Sequence, residues 1–432
     1  MNSNMNSSPI GDKALLESIA AKVGTPFWLL DASVLRSRIR EVLSICEAGK
    51  IQPRYAMKAC SATRVLQEMR AHGVWIDAVS GNECLRAIRA GYKSGNNPPE
   101  VLLTADVFRD NALQVIKDHG LLINIGSPGQ IRDLERAGYK GPIAMRLNPG
   151  FGHGHVNACD TGGPSSKHGI WWTHAHETAE AARKAGMKVT VLHAHIGSGP
   201  QMAELVENLS RLAEEFAHVA PKFPDLEGFS LGGGLPHNYR DDRPAVDTSP
   251  LGAVFAKARE TLSNAVGREL RIEIEPGRYY VAPMATLVAR VADIKTTETN
   301  EKGEGQTFAM VDAGFVDLLR PAMYGSYHRI TVPGREGQPL SQVVVAGPLC
   351  ESGDVFTRDA SDILDPRALP MPEPGDLLCL HDGGAYGYAM ASNYNSIGRA
   401  PQVWLEEDGS QTLISRRENI EDVLKAETSE KL

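Results

Sequence analysis

A TIM-type (β/α)8 barrel followed by a second, mostly β domain (a sandwich or barrel) is the fold class this sequence predicts, and three observations predict it. From about residue 31 to 276, about eight short apolar runs alternate with longer segments of helical period, the pattern of βα units around a parallel sheet. The residues that stand out, Lys58, Asp77, Asn148, His195, Gly232 and Glu275, fall where those runs end, and such barrels bind ligands at the C-terminal ends of their strands. Beyond residue 285 the helical period gives way to β-branched runs separated by Gly and Pro turns. A doubly wound open sheet is the alternative architecture, since it also gathers ligands at strand ends, but it does not need eight units.

Taken in order, residues 1–24 read as a flexible tail, whose polar opening MNSNMNSS lacks the basic and apolar regions of an export signal, and 25–30 as a strand joining the β domain. The barrel is expected over 31–285, with strands near 54–57, 74–79, 101–104, 121–125, 143–147, 189–196, 228–231 and 271–275. Helices are expected between them, such as 62–72, 82–90, 109–119, 128–137, 173–185 and 201–220, several opening on a capping Ser, Thr, Asp or Asn. The β domain spans 286–432, with runs at 286–294, 307–311, 342–346, 376–380, 402–405 and 411–415.

A chain of 432 residues exceeds the roughly 250–300 residues of a single core, so two domains are expected. A net charge of −8 without a long Lys/Arg run disfavours nucleic acid as a partner, and nowhere do 18 apolar residues follow one another, so no membrane span is expected. The six cysteines are scattered without a CxxC pair, which fits reduced thiols and a cytoplasmic location better than a disulfide framework or structural zinc.

The chemistry begins at Lys58, which closes the strand-like run RYAM at 54–57. A lysine at the mouth of a protected site suits Schiff-base chemistry, and a carboxylate on a later strand end, Glu275 of EPGR (275–278), could keep a pyridinium nitrogen protonated. That combination points to pyridoxal phosphate. The glycines Gly232, Gly233 and Gly234 allow backbone N–H groups to approach a phosphate, although a tight turn also explains them; with EPGR on the next strand they form a converging pair of Gly-containing loops.

His193 and His195 of HAHIGSG point the same way from one strand, so a metal site is weighed against cofactor contact, and His153, His155 and Cys159 offer a second metal reading against that of an ordinary surface loop. Loop 148–170 is long, Gly-rich and placed like an active-site lid. In the β domain, GPLCESGD (347–354) and GAYGYAMASNYN (384–395) are irregular segments of the kind that position side chains. Cys350 is either an inert thiol or a reactive one, Glu351 either solvated or functional, and Arg320 and Tyr324 either structural or suited to gripping a carboxylate.

Together, YAMKA, TGGPSSKHGI, HIGSG, GGGL, EPGR, RPAMYG, CESGD and ASNYN, in this order over about residues 26–423, resemble the alanine-racemase-like, fold-type III pyridoxal-phosphate decarboxylases, and among them the diaminopimelate decarboxylase family. The resemblance implies that Lys58 carries the cofactor, His195 stacks on its ring and Glu275 pairs with the pyridine nitrogen. It further implies cofactor contacts from Asp77, Ser198, Gly232, Gly233, Gly234, Gly277, Arg278 and Tyr386, and substrate contacts from Arg278, Arg320, Tyr324, Glu351 and Tyr386. Cys350 corresponds to the proton donor, and Cys350 and Glu351 to residues that act across a homodimer. Pro236 and Tyr388 depart from the family pattern and bear on substrate fit. Two other functions compete: a polyamine-type decarboxylase of ornithine, arginine or lysine, against which Arg320 argues, and a non-catalytic relative, against which the full set Lys58, Glu275, Cys350 and Tyr386 argues.

Overall fold

The computed structural model describes residues 11–95, 98–152, 161–197, 201–240, 243 and 245–430. The chain divides into a barrel unit, residues 36–237 and 245–280, and a β unit, residues 1–35, 238–244 and 281–432.

Strand β1 (Phe27–Asp31) belongs to the β unit; the barrel strands follow it in the chain. They are β2 (Gln52–Ala56), β3 (Trp75–Ala78), β4 (Val101–Ala105), β5 (Leu122–Ile125), β6 (Pro142–Asn148), β8 (Lys188–Ala194), β9 (Gly228–Ser230) and β10 (Arg271–Ile274), with the two-residue β7 (Ile170–Trp171) paired to β6. All eight pair in parallel with their neighbours, and β10 returns to β2, so the barrel is closed. Strands covered on both faces must be apolar throughout, which is why these segments read as plain runs. Ile76, Leu103, Ile123, Ile143 and Ile272 are all fully buried.

Local chemistry fixes the connections. Helix Gly81–Arg89 starts at Ser80, whose Oγ accepts the Glu83 N–H at 3.1 Å while the Glu83 carboxylate accepts the Val79 N–H at 2.8 Å, a reciprocal cap directly after β3. The expected strand run 54–57 is shifted: β2 spans Gln52–Ala56, and Met57–Ala59 form a 3-10 turn that carries Lys58. The expected loop 148–170 is shortened, because its last residue already belongs to β7.

In the β unit, β11 (Ala285–Thr296), β12 (Thr307–Val311), β13 (Ile330–Thr331), β14 (Leu340–Ala346), β15 (Arg367–Pro370), β16 (Leu377–Leu380), β17 (Gln402–Leu405) and β18 (Gln411–Ser415) join β1 in one sheet. Its path runs β15-β14-β12-β11-β1-β17-β18, with β16 bridging β11 and β13. The expected tail contains a helix instead, Lys13–Val23, capped by Asp12, whose carboxylate accepts the Ala14 and Leu15 N–H groups. Leu16, Ile19 and Ala20 on its inner face pack with Phe27, Leu29, Val288, Leu377 and Val403, so the helix is held by burial of its apolar stripe. Segment 238–244, inside the expected barrel range, groups with the β unit, and the barrel unit ends at 280 rather than 285. Among the described residues no helix is long and apolar enough to cross a membrane.

Candidate active site

Side chains of alternate residues on each barrel strand point inward, and they sort into three levels. At the N-terminal end, Arg54 and Glu273 form an ion pair at 2.6 Å with both side chains buried, and the Arg54 guanidinium lies over the Trp75 ring. Above it Leu102, Leu122, Ala144 and Val191 pack as an apolar layer. At the C-terminal end the inward residues turn polar: Asp77, Thr104, Asn124, Arg146, Asn148, His193, Ser230 and Glu275 are all buried. A polar cluster of this size at the strand ends of a barrel is where a ligand site is expected.

Glu275 is the best fixed of these groups. His193 Nε2 lies 2.9 Å from Oε2, and Ser230 Oγ donates to Oε1 at 2.7 Å. Burial alone would raise its pKa, but the adjoining His193, the Ser230 hydrogen bond and Arg54 overcome it and bring it down to about 2. His195, one turn of the strand alternation further, accepts the Gly233 N–H on Nδ1 at 3.2 Å. Burial, with Arg146 and Lys58 adding to it, holds the His195 pKa well below the ordinary value, so the ring is a neutral imidazole. Gly232 and Gly233 are required here by space: a Cβ would stand 2.5 Å from Ala194 O and from Glu275 O respectively, and Gly232 has φ +70°.

Asp77 is the second carboxylate. It accepts from Thr104 Oγ1 at 2.6 Å, and Asn124 Nδ2 in turn donates to Thr104 at 3.2 Å. Burial and then the charge of Glu275 raise its pKa to about 7, while Lys58 opposes that rise. Two carboxylates are thus driven apart by their surroundings, one fixed as an anion and one poised near neutrality beside an amine. Lys58 itself is exposed between the buried Met57 and Ala59, and the backbone of Ala56 is tied to Pro276 by an N–H···O bond of 3.2 Å. Asn148 fastens the described ends of the following loop, bonding Gly150 and Gly163.

The β unit carries its own cluster. Arg320 is buried, donates to Ser326 Oγ at 3.0 Å, and has the Tyr239, Tyr324 and Tyr386 rings 5.8–5.9 Å from its guanidinium carbon. Tyr386 takes φ +61°, a left-handed conformation unusual for a residue with a side chain. Cys350 and Glu351 are exposed on a loop held from inside by buried Asp354, whose carboxylate accepts the Leu349 N–H at 2.8 Å and the Phe315 N–H at 2.7 Å. Cys46, Cys60, Cys84 and Cys379 are buried and burial raises each of their pKa values, to about 12 for Cys46 and Cys379, so Cys350 is the accessible thiol among the described cysteines.

In the barrel unit Lys58, Asp77, His195 and Glu275 interact electrostatically, Gly232 and Gly233 lie against His195 and Glu275, Gly234 against Gly197 and Gly277 against Ala56, and Arg278 opens the short helix that follows. Ser198 lies outside the described residues, as do His153, His155 and Cys159. One ring nitrogen of each histidine in the HAH pair is engaged, His193 Nε2 by Glu275 and His195 Nδ1 by the Gly233 N–H, and among the described residues no group of side chains could hold a metal ion. Pro236 is buried, and the Tyr388 hydroxyl lies 3.3 Å from Ser415 Oγ. Sequence reading missed Ser230, Thr104, Asn124, Arg146 and Asp354. For the four barrel residues a polar residue at an inward position of an apolar strand, as Asn124 in LINI or Thr104 in VLLTA, was the available signal; Asp354, on a loop, had none of that kind.

A primary amine, an anionic carboxylate with unused lone pairs, a neutral imidazole and a close-set glycine loop form a donor set that fits pyridoxal phosphate. A family model described as the pyridoxal-binding domain of pyridoxal-dependent decarboxylases matches residues 33–282. The chain is 40% identical to diaminopimelate decarboxylase of Streptomyces coelicolor over 421 residues, 96% of this chain and 92% of the relative. It is similar to a crystal structure of a diaminopimelate decarboxylase (TM-score 0.89, 36% identity, covering 98% of this chain and 99% of that one). The Helicobacter pylori diaminopimelate decarboxylase solved with L-lysine is similar at TM-score 0.79 and 30% identity, covering 95% and 98% of the two chains. The chain belongs to the diaminopimelate decarboxylase family of pyridoxal-dependent decarboxylases.

Proposed function

We propose that the chain releases CO2 from meso-diaminopimelate to give L-lysine, the last step of lysine biosynthesis, with pyridoxal phosphate as cofactor. Bound pyridoxal phosphate supplies an electron sink for the pair left behind when the carboxylate departs. The observation that carries the reading is Glu275, buried, doubly hydrogen-bonded and anionic beside the glycine loop, since a permanent anion is what keeps a ring nitrogen protonated.

In this reading Lys58 provides the amine that holds the cofactor and yields it to the substrate. His195, neutral and fixed by Gly233, covers one ring face. Ser198, Gly232, Gly233, Gly234, Gly277 and Tyr386 hold the phosphate, with Asp77 and Arg278 also in contact. Arg320, Tyr324 and Arg278 bind the substrate's distal amino-carboxylate end, and Glu351 reads its distal ammonium. A buried arginine set among tyrosines suits a carboxylate and would repel the terminal cation of ornithine, arginine or lysine. The Cys350 thiol delivers its proton to the carbon that lost CO2.

The exposed position of Cys350 and Glu351 supports a homodimer in which each site receives these two residues from the partner subunit. The scattered cysteines support a cytoplasmic location. Assaying CO2 release from meso-diaminopimelate beside L-ornithine, L-arginine and L-lysine tests the substrate: release from the first alone is expected, and faster release from any of the others would overturn the reading.

A further inference from the structure

His193 is not needed to touch a ligand in the reading above, yet it is 1% exposed and its ring spends its polar capacity on one contact. Nε2 meets Glu275 Oε2 at 2.9 Å; Nδ1 is buried and has no hydrogen-bond partner among the described residues. An apolar side chain would fill an inward position on β8 without the desolvation cost of an imidazole. Ser230, inward on β9, makes the matching contact to Oε1 at 2.7 Å and also accepts the Gly232 N–H at 3.2 Å.

The geometry points to His193 and Ser230 as positioning residues that clamp Glu275 from two neighbouring strands, one donor on each carboxylate oxygen, so that its remaining lone pairs stay available to the cofactor's ring nitrogen. A carboxylate has about four lone-pair positions, and the clamp uses two. It also removes the carboxylate's rotational freedom, so the group meets the ring already oriented. Ser230 links the clamp to the glycine loop through Gly232, coupling the carboxylate's orientation to the loop that accommodates the phosphate. This inference rests on the proposed pyridoxal-phosphate function.

The charged and titratable groups around Glu275 are His193 on β8, Arg54 on β2, Asp77 on β3, Arg146 on β6 and His195 after β8. The test therefore varies the donors and leaves those charges in place wherever possible. Full-length apoprotein labelled with 13C at the glutamate carboxyl would report the titration of Glu275, assigned by the signal lost in Glu275→Gln. Wild type should keep Glu275 ionised to the acid limit of the fold. Ser230→Ala and His193→Leu should each raise the midpoint by about one to two pH units, and His193→Gln, which retains an N–H donor, should restore most of the shift.

Holoprotein reconstituted with pyridoxal phosphate labelled with 15N at the ring gives a second readout. The pKa of the ring nitrogen should fall in His193→Leu and recover in His193→Gln. An unchanged Glu275 titration in Ser230→Ala and in His193→Leu overturns the clamp; should His193→Leu not fold, an unchanged titration in Ser230→Ala does so alone. If wild type shows a protonated ring nitrogen but releases no CO2 from meso-diaminopimelate, the substrate reading fails while the clamp is still judged by its own titration.

Discussion

The buried strand ends of the barrel unit and the exposed loop at Cys350 and Glu351 of the β unit hold their groups in opposite ways. In the barrel unit Glu275, Asp77 and His193 are buried, and each is fixed by a named hydrogen bond. In the β unit Cys350 and Glu351 are exposed; their loop is anchored through Asp354, and the Glu351 carboxylate accepts the Gly353 N–H at 3.3 Å. The difference teaches that, on the proposed reading, the groups facing the cofactor ring are set during folding, whereas Cys350 and Glu351 would act from an exposed loop.

The strongest way to test that contrast is Lys58→Ala, which should abolish both the cofactor's imine absorbance and CO2 release; turnover without an added amine would contradict the assignment. Cys350→Ala should be milder, losing about 10²–10⁴-fold in kcat while the absorbance of the bound cofactor stays normal. Mixing the two variants separates the units further, because random reassortment puts half the chains in heterodimers with one intact site each. About a quarter of wild-type activity should return, and no recovery after verified subunit exchange would mean the site is not shared.

Asp354→Asn comes next. The amide has one acceptor oxygen for two backbone donors, so the loop should loosen and kcat should fall roughly tenfold, equal to about 1.4 kcal/mol of barrier. Cofactor affinity should not change; a loss of cofactor binding would erase the distinction between the units. The last effect is on stability rather than activity and concerns Asp77. Its folded pKa of about 7 lies above the value of about 3.9 in an unfolded chain, so the native state binds more protons between those limits. That contribution is complete below about pH 4 and is lost as pH rises through 7. Melting of the apoprotein should therefore show a smaller fall in stability from about pH 5 to about pH 8 in Asp77→Asn than in wild type, and parallel profiles would count against the raised pKa.

Much of the barrel was legible because parallel strands buried on both faces leave unbroken apolar runs, and because strand-end residues such as Asp77 and Glu275 interrupt them. The glycines after β9 were legible once paired with EPGR on the next strand, and the backbone approach they allow is close, a Cβ on Gly232 or Gly233 standing 2.5 Å from a carbonyl oxygen. What stayed hidden depends on neighbours distant in sequence. Nothing in LINI says that Asn124 supports Thr104, nor in RIEI that Glu273 meets Arg54. The two-residue β13 exists only because β16 pairs with it. The helix Lys13–Val23 is a different kind of miss, since Asp12 and the spacing of Leu16, Ile19, Ala20 and Val23 announced it in a stretch otherwise read as tail.

The ion pair at the lower end of the barrel has a consequence for how the molecule is made. Arg54 lies on the first barrel strand and Glu273 on the last, 219 residues apart, and they meet where the cylinder is sewn shut. Glu273 is shared with Arg271, 2.7 Å away on the same strand, so the register that brings Arg54 to it completes a three-residue charge cluster around the buried Glu273 where the seam closes. Because that contact awaits nearly the whole barrel sequence, closure belongs late in folding, and a ribosome must release most of this chain before the cofactor's cradle can exist.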